Sequence, residues 1–393
     1  MRLWEHLRRG SFLDRERVRI YPRLLAGLSL VSLLILFGSS QSGRDRFGHL
    51  IGSDFLSFLA VGRLLLENAN PYDASTHLAF MREFAPNLEG YPAFFYPPQF
   101  LAFCLVLGLF PYFVAYTLWL ATTAAAYLAA LRAWSRELDL LSPVWVWFAA
   151  FPPVLITITH GQTSFLIAAL LGGGLLLVGK RPVLAGVLLG LATIKPQFGL
   201  LVPLALLLTG SWRTIAAAGI TAFALAALNG LVFGFDIWRD WLSLSSSAQS
   251  AMTSGAIGYG KMVSVFAGLK VLGVSTSLAY AVQIGVSLIV AATVVWASWR
   301  KAWSPLIASL VLVGAPLATP FALDYDMALL AFPLIFLAHA GYRDWEKTIS
   351  LLAFTAPVFA RPLAHFGGIP IMPLVLGLLF WILARRSRDA TAS

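Results

Sequence analysis

Residues 188–208 have the sequence LLGLATIKPQFGLLVPLALLL, which is apolar almost throughout and is interrupted by Lys195 and Pro196. Apolar runs of about 20 residues are typical of helices that cross a membrane, and several more occur along this chain. The two halves, 183–194 and 197–209, are each too short to cross about 30 Å of hydrocarbon as straight helices. The stretch therefore predicts two broken helices beside a cavity in a membrane protein.

The composition of the whole chain indicates the same class. Hydrophobic residues make up 59% of the 393 residues and charged residues 12%, against about 25% charged in soluble domains. The short alternating segments of a β-barrel are absent, so the predicted fold class is an all-α integral membrane protein. The net charge of +10 is explained by basic residues kept on the cytoplasmic side, and no nucleic-acid partner is expected.

Twelve membrane spans are predicted when the segment 97–110 is treated as interfacial or re-entrant, because it is short and is bounded by prolines. Of the 28 Lys and Arg residues, this topology puts 19 inside, with both termini cytoplasmic. Counting 97–110 as a span leaves 12 inside, so the positive-inside rule favours twelve spans. The predicted spans are 22–39, 112–131, 144–159, 163–178, 183–194, 197–209, 214–234, 276–298, 304–319, 327–340, 348–360 and 369–384.

Two long outer loops, about 40–111 and 235–275, follow from this topology within a single domain of residues 1–393. The first loop is rich in Tyr, Pro, Asn and Asp and is far longer than a connector needs. Loops of that length are commonly functional. We therefore expect an active site at the outer, non-cytoplasmic face.

Asp54 is the first candidate for chemistry at that face. It precedes a stretch, 55–66, whose pattern predicts an amphipathic helix lying along the membrane surface. One interpretation makes Asp54 the N-cap of that helix. The other makes it a general base that takes a proton from a hydroxyl. Arg63, on the same helix, is a weaker site candidate or an ordinary solvated charge.

Lys195 is the second candidate. An ammonium group close to hydrocarbon depth is costly, so an intramembrane lysine indicates a function. Its expected partner is an anion such as phosphate. The alternative is a lysine that snorkels to water from an outer helix end.

Other polar residues are predicted at outer helix ends. His160–Gln162 forms either a polar connection between helices or a group that binds hydroxyls. Asp324 and Asp326 either cap the next helix or bind hydroxyls or a cation. The weaker outer candidates are Lys261, Arg361 and His365.

Several kinds of catalytic motif are missing from the sequence. There is no Walker-type glycine loop or Rossmann fingerprint, no nucleophile elbow, and no clustered metal-ligand spacing beyond Asp324 and Asp326. The single cysteine, Cys104, excludes a disulfide framework. An enzyme at the outer face would therefore use an activated substrate brought by the membrane, and neither a cofactor nor a metal is expected.

Four segments, in order, resemble the family-87 glycosyltransferases, also called DUF2029. Ser53-Asp54-Phe55 followed by AVGRLLLENANPYD at 60–73 is similar to the family's "DF…aGRlLLeG.NPYD" segment. YPPQF at 96–100, HGQ at 160–162 and the run from 184 to IKP at 194–196 resemble its "YPP", "GQ" and "aGlllGlaaalKP" segments. The resemblance covers most of residues 50–210 and, more loosely, 319–326, where Leu323-Asp324-Tyr325-Asp326 replaces the Trp-Asp-His group of many members.

This resemblance implies a fold and a set of roles. The family belongs to the C-type glycosyltransferase superfamily, whose multi-span members carry interfacial helices in the first outer loop and use a polyprenyl-phosphate sugar. It implies that Asp54 is the catalytic base. The expected donor-phosphate ligands are Lys195, Lys261 and Arg361. The expected sugar or acceptor ligands are Tyr96, His160, Gln162, Asp324, Asp326, Arg63 and His365.

The resulting hypothesis is a glycosyltransferase of a bacterial plasma membrane with its active site on the periplasmic or extracellular side. It would move a hexose, with mannose expected first, from the polyprenyl phosphate to a hydroxyl of a glycolipid or glycan, with inversion. The main alternative is a transporter or flippase of a lipid-linked sugar or small solute, since twelve spans with broken helices suit that class as well. A non-catalytic membrane scaffold is a further alternative, but it would have no need of Lys195.

Overall fold

The computed structural model describes residues 2–86, 93–140 and 143–392, in which every regular element is helical. Residues 87–92, which belong to the predicted first outer loop, lie outside the described residues. The α-helices are α1 (Arg2–Arg9), α2 (Arg15–Gly38), α3 (Ser53–Leu66), α4 (Ala74–Phe84), α5 (Leu101–Gly108), α6 (Tyr112–Glu137), α7 (Val144–Ala150), α8 (Pro152–His160), α9 (Ser164–Leu177), α10 (Pro182–Leu191), α11 (Val202–Leu208), α12 (Trp212–Phe233), α13 (Asp236–Ser243), α14 (Ser245–Ser254), α15 (Val265–Val271), α16 (Thr276–Ser298), α17 (Pro305–Ala318), α18 (Ala331–His339), α19 (Glu346–Gly367) and α20 (Met372–Ala392).

In the part of the chain that the structure describes, five helices, α2, α6, α12, α16 and α19, are long and apolar enough to cross a membrane. Shorter apolar helices accompany them, at Pro98–Gly108, Ser164–Leu177, Pro182–Ile194, Pro196–Leu208 and Pro305–Ala318. The predicted all-α membrane architecture is therefore confirmed. The count of twelve spans stays a prediction, because many of the apolar helices are shorter than a straight span requires.

The helix break predicted at residues 194–196 is present. After α10 the chain forms the short 3-10 helices Ala192–Ile194 and Pro196–Phe198, with Lys195 between them, before α11 begins. Pro196 has no backbone N–H to donate and disfavours helical geometry at the residue before it. Lys195 accordingly has φ −134° and ψ 71°.

Two other predicted spans differ from the structure. The single helix predicted over 144–159 is wrong, because Phe151 is extended and separates α7 from α8, which begins at Pro152. The proline again explains the break. The span predicted over 327–340 starts as a 3-10 helix, Asp324–Leu330, and becomes α-helical only from Ala331.

The amphipathic pattern predicted for the helix after Asp54 is wrong. Residues Phe55–Gly62 of α3 are all buried, so this part of the helix has no face exposed to solvent. It packs closely on α5, where a Cβ at Gly62 would lie 2.0 Å from the Cys104 carbonyl oxygen. A helix that is apolar all round is buried, and α3 follows that rule. The eight residues of α5 agree with treating 97–110 as a segment that does not cross the membrane.

A cluster of ion pairs lies where α19 begins, at the end of the molecule that also holds both chain termini. Glu346 is fully buried and pairs with Arg386, which also donates to the carbonyl of Gly341. The N-terminal segment packs there too, since Arg8 lies 2.7 Å from Asp344. We call Glu346 and Arg386 the α19 pair.

Candidate active site

The residues that carry the site are organised by the connection between α8 and α9, residues 160–164. Gly161 has φ +71°, and a Cβ there would lie 2.5 Å from the Cβ of Phe55, so only glycine fits without strain. The amide of Gly52 donates to the Thr159 carbonyl at 3.0 Å. Trp119 Nε1 donates to the Gly161 carbonyl at 3.1 Å. The connection is therefore held against the first turn of α3.

Asp54 lies in that first turn and faces the connection. Gln162 Nε2 donates to Asp54 Oδ2 at 2.6 Å. A carboxylate only accepts hydrogen bonds, so the amide nitrogen of Gln162 is the group that faces it. Gly52, with φ 78°, is the N-cap of α3, which makes the interpretation of Asp54 as the N-cap wrong. Its position in the first turn still lets the helix N-terminus stabilise a negative charge.

Tyr96 fixes the other end of the Gln162 amide. The Tyr96 hydroxyl donates to Gln162 Oε1 at 3.2 Å and lies 2.9 Å from Thr163 Oγ1. Burial raises the pKa of Tyr96 above its usual range, so the phenol keeps its proton. The chain of contacts from Tyr96 through Gln162 to Asp54 orients the carboxylate.

Lys195 is buried and forms an ion pair with Asp326. Its Nζ lies 2.5 Å from Asp326 Oδ1, and the two side chains are 4% and 1% exposed. Asp326 also accepts from Ser164 Oγ at 3.3 Å and from the Leu323 amide at 3.1 Å. The snorkelling interpretation of Lys195 is therefore wrong, and Asp326 serves both as a cap and as a counter-ion.

Asp324 forms a second ion pair with Arg361. Arg361 Nη2 lies 2.9 Å from Asp324 Oδ2, and Arg361 Nη1 lies 3.3 Å from His160 Nε2. Burial raises the pKa of the Asp324 carboxyl, and the positive charge of Arg361 opposes that shift. The Arg361 side chain is 32% exposed, so this cation remains accessible while Lys195 is enclosed.

The weaker candidates divide into two groups. The contacts above join what we call the active-site cluster: Asp54, Tyr96, residues 160–164, Lys195, residues 324–326 and Arg361. Lys261 is exposed beside this cluster, because Met262 bridges to Leu323 next to Asp324. His365 is exposed one helical turn beyond Arg361 on α19. Arg63 lies nine residues beyond Asp54, about 13 Å along α3, and donates to the Phe110 carbonyl at 3.1 Å. The structure therefore separates Arg63 from the other candidates.

Three residues of the cluster were not among the predictions. Thr163 and Ser164 contact Tyr96 and Asp326, and the Tyr325 ring lies between His160 and Lys195, with Lys195 Nζ 5.3 Å from its centroid. The signal for the first two was their position, since they directly follow the predicted His160–Gln162 group and precede an apolar helix.

The charges of the cluster differ in their partners, and that difference decides what each can do. Asp324 and Asp326 are each matched by a cation. Asp54 is held by a neutral amide and forms no ion pair with any residue that the structure describes. A carboxylate without a cation partner is suited to accept a proton. Within the described residues, no three His, Cys, Asp or Glu side chains form a group able to hold a metal ion.

Comparison with known proteins points to one family. Residues 94–320 match the family model described as glycosyltransferase family 87, and this range is more than half of the 393-residue chain. It includes all the residues that connect α8 to α9 and the break at Lys195. No curated protein and no solved structure matches the chain.

Proposed function

The chain belongs to glycosyltransferase family 87, and we propose that it transfers a hexose, with mannose expected first, from a polyprenyl-phosphate sugar to a hydroxyl of a glycolipid or glycan. Membership makes it a membrane glycosyltransferase, which acts on a sugar donor and an acceptor. The observation that best supports the proposed chemistry is the Asp54 carboxylate, which is oriented by Gln162. Residues 160–164 also contact both ion pairs, through Ser164 to Asp326 and through His160 to Arg361.

In the proposed reaction Asp54 takes the proton of the acceptor hydroxyl as its oxygen attacks the anomeric carbon. The bond between that carbon and the phosphate oxygen breaks, and its electron pair leaves with polyprenyl phosphate. Attack from the face opposite the leaving group inverts the anomeric centre, so a β-linked donor gives an α-linked product. One phosphate group leaves, and cations suffice in principle to stabilise its charge.

Arg361 and Lys261 are the proposed first contacts of the donor phosphate. Both are accessible, and Arg361 offers a planar guanidinium that suits a phosphate. Lys195 is the third proposed ligand, but a phosphate must compete with Asp326 to reach it. The proposed sugar and acceptor contacts are His160, Asp324, Asp326 and His365. Tyr96 and Gln162 would affect the reaction by positioning Asp54.

The remaining features of the proposal concern the membrane. We propose the C-type glycosyltransferase fold with about twelve spans, formed by the five long helices together with α7–α8, α9, α10, α11, α17, α18 and α20. Both termini would be cytoplasmic and the cluster would face the outside of a bacterial plasma membrane. No cofactor takes part in this scheme. The prenyl chain of the donor would lie against apolar helices.

The alternative of a transporter or flippase has one supporting observation, the break at Lys195, since broken helices often line transport sites. Two observations favour the enzyme. The chain belongs to a glycosyltransferase family, and its polar residues gather around a single connection, 160–164.

The donor can be tested with the purified full chain in liposomes. We expect label to move from radiolabelled polyprenyl-phosphate mannose to lipid or glycan in a membrane extract. A nucleotide-linked mannose should give no product. The linkage formed should be α when the donor is β, as read from its cleavage by an α-specific glycosidase. Transfer from the nucleotide sugar, or solute uptake with no transfer from any polyprenyl-phosphate sugar, would contradict the proposal.

A further inference from the structure

A large apolar cavity lies away from the candidate active site. Its volume is about 610 Å³, within the ~300–1,000 Å³ typical of ligand pockets. Helices α2, α6, α7, α18 and α19 bound it, and its lining is almost wholly hydrocarbon. Cavities of this kind stay free of water unless polar partners are present. The cavity is therefore suited to an apolar chain.

The cavity borders the bilayer at its α2 side. Three of its bounding helices, α2, α6 and α19, are long and apolar enough to cross a membrane. Only 6% of the residues in the most apolar stretch of α2 are buried, so this helix stands at the periphery and faces lipid. The cavity is therefore bounded on its α2 side by a helix at the edge of the bundle.

The ends of the cavity differ in chemistry. Aromatic rings line the end nearer the active site, where the Phe151 and Phe354 centroids lie 5.1 Å apart. Arg17 and Lys347 line the opposite end, where α2 and α19 begin. Lys347 is 14 residues before Arg361, about 21 Å along α19. A sugar donor with its phosphate at Arg361 would therefore leave both of these cations without a phosphate.

Basic residues dominate the far end. The first turns of α2 carry four arginines, Arg15, Arg17, Arg19 and Arg23, against the acidic residues Asp14 and Glu16. Arg17 donates to the Phe12 carbonyl at 2.6 Å and its Nε lies 3.6 Å from Asp14. Lys347 donates to the Leu13 carbonyl. Basic clusters directly beside a membrane span attract anionic lipids.

We propose that this cavity binds one acyl chain of an anionic phospholipid from the leaflet in which α2 begins. The lipid phosphate contacts Arg17 and Lys347, and the acyl chain fills the space between α2 and α18. The site is separate from the sugar-transfer reaction and does not rest on the proposed function. A lipid bound there would fill the space between the peripheral α2 and the rest of the bundle.

Binding can be measured on the full chain, freed of lipid in detergent, by native mass spectrometry with added dioleoyl phosphatidylglycerol or dioleoyl phosphatidylcholine. We expect one tightly held phosphatidylglycerol and much weaker retention of phosphatidylcholine. Removing both cations by Arg17→Gln with Lys347→Gln should weaken phosphatidylglycerol binding by at least tenfold, at about fivefold for each cation. Arg213→Gln, which changes an exposed arginine at the start of α12 outside both the basic cluster and the cavity lining, is the matched control and should change binding little.

A second variant tests whether the acyl chain occupies the cavity. Ala338→Phe fills the cavity and should abolish binding of the first phosphatidylglycerol, while Ala216→Phe on the exposed face of α12 should not. Equal retention of both phospholipids, or full binding by Ala338→Phe, would overturn the proposal. So would polyprenyl phosphate displacing phosphatidylglycerol mole for mole at low concentration, since the cavity would then belong to the carrier lipid. If Ala338→Phe fails to fold, the paired cation variant decides alone.

Discussion

The active-site cluster and the α19 pair are both built from buried charges. They differ in whether every charge has an enclosed partner of opposite sign. Glu346 and Arg386 are matched to each other, and the remaining donors of Arg386 reach the carbonyls of Ala340 and Gly341. The active-site cluster has two comparable pairs, Lys195 with Asp326 and Arg361 with Asp324. It also has members whose charge is unmatched or accessible.

Those members identify where chemistry is possible. Among the residues that the structure describes, Asp54 has a neutral donor and no cation partner, and Arg361 is 32% exposed although its partner Asp324 is enclosed. A pair that satisfies itself holds helices together, whereas a charge that is held in place and left unmatched can act on a substrate. This difference is the reason for proposing that Asp54, which is unmatched, and Arg361, which is accessible, act on the substrates.

The largest loss of stability is expected from breaking an enclosed pair. Lys195→Ala leaves Asp326 buried and unpaired, which costs about 3–5 kcal/mol, and Glu346→Ala should cost a similar amount. Thermal unfolding of each variant in the same detergent measures this. If Lys195→Ala lost far less stability than Glu346→Ala, the two ion pairs would not be equivalent as this comparison assumes.

Replacing both members of a pair sharpens the comparison. Lys195→Met with Asp326→Leu, and Glu346→Leu with Arg386→Met, should each recover much of the stability, because apolar replacements of a buried pair are often neutral. Only the first double variant should lose sugar transfer. Full transfer by it would remove Lys195 and Asp326 from the reaction and leave them a structural role alone.

Gly161→Ala is expected to have the next largest effect. The left-handed backbone and the 2.5 Å approach to Phe55 impose strain of about 1–3 kcal/mol, and they displace Gln162 from Asp54. The rate of sugar transfer should therefore fall further than the loss of folded protein alone would explain. Gly179→Ala, at an exposed glycine with open space around it, is the control and should behave as wild type.

How much of this site the sequence predicts depends on the distance between partners along the chain. Lys195 and Pro196 are adjacent, so the break between them was predictable from local chemistry. Gln162 and Asp54 are 108 residues apart, and Lys195 and Asp326 are 131 apart. Both members of each pair were candidates, but nothing local indicates which carboxylate meets which donor.

The errors in the fold have equally specific causes. The break at Pro152 had a signal, two consecutive prolines, that the prediction of one helix over 144–159 passed over. The sequence carried no comparable signal that α3 would be buried. Ser57 suggests a polar face on that helix, but its hydroxyl lies 3.4 Å from Nε2 of the buried His77 on α4, so the polar group is satisfied inside the protein.

Tyr96→Phe should have a modest effect. It removes the hydrogen bond to Gln162 Oε1 and the contact with Thr163 Oγ1. A hydrogen bond is worth about 1 kcal/mol, so transfer should fall roughly fivefold, with a loss of stability of about the same size. Tyr280→Phe removes the same atom from a tyrosine outside the cluster and serves as the control. Equal rates for the wild type and Tyr96→Phe would mean that Gln162 orients Asp54 without help.

Arg63→Gln is expected to have the smallest effect. Its contact is with the Phe110 carbonyl, about 13 Å along α3 from Asp54, so transfer should change less than about twofold. A loss of transfer comparable with that of Gly161→Ala, with stability unchanged, would return Arg63 to the list of site residues.

The most direct test of the account is sugar transfer by Asp54→Asn. Asn keeps the size of the side chain but cannot take the acceptor's proton. General base catalysis contributes typically 10²–10⁴-fold, so transfer should fall by at least about a hundredfold while binding of the polyprenyl-phosphate sugar persists. Asp236→Asn, which changes an exposed carboxylate on α13, is the control and should transfer normally. Transfer by Asp54→Asn at the wild-type rate would contradict the central claim and would direct attention to Asp324 and Asp326.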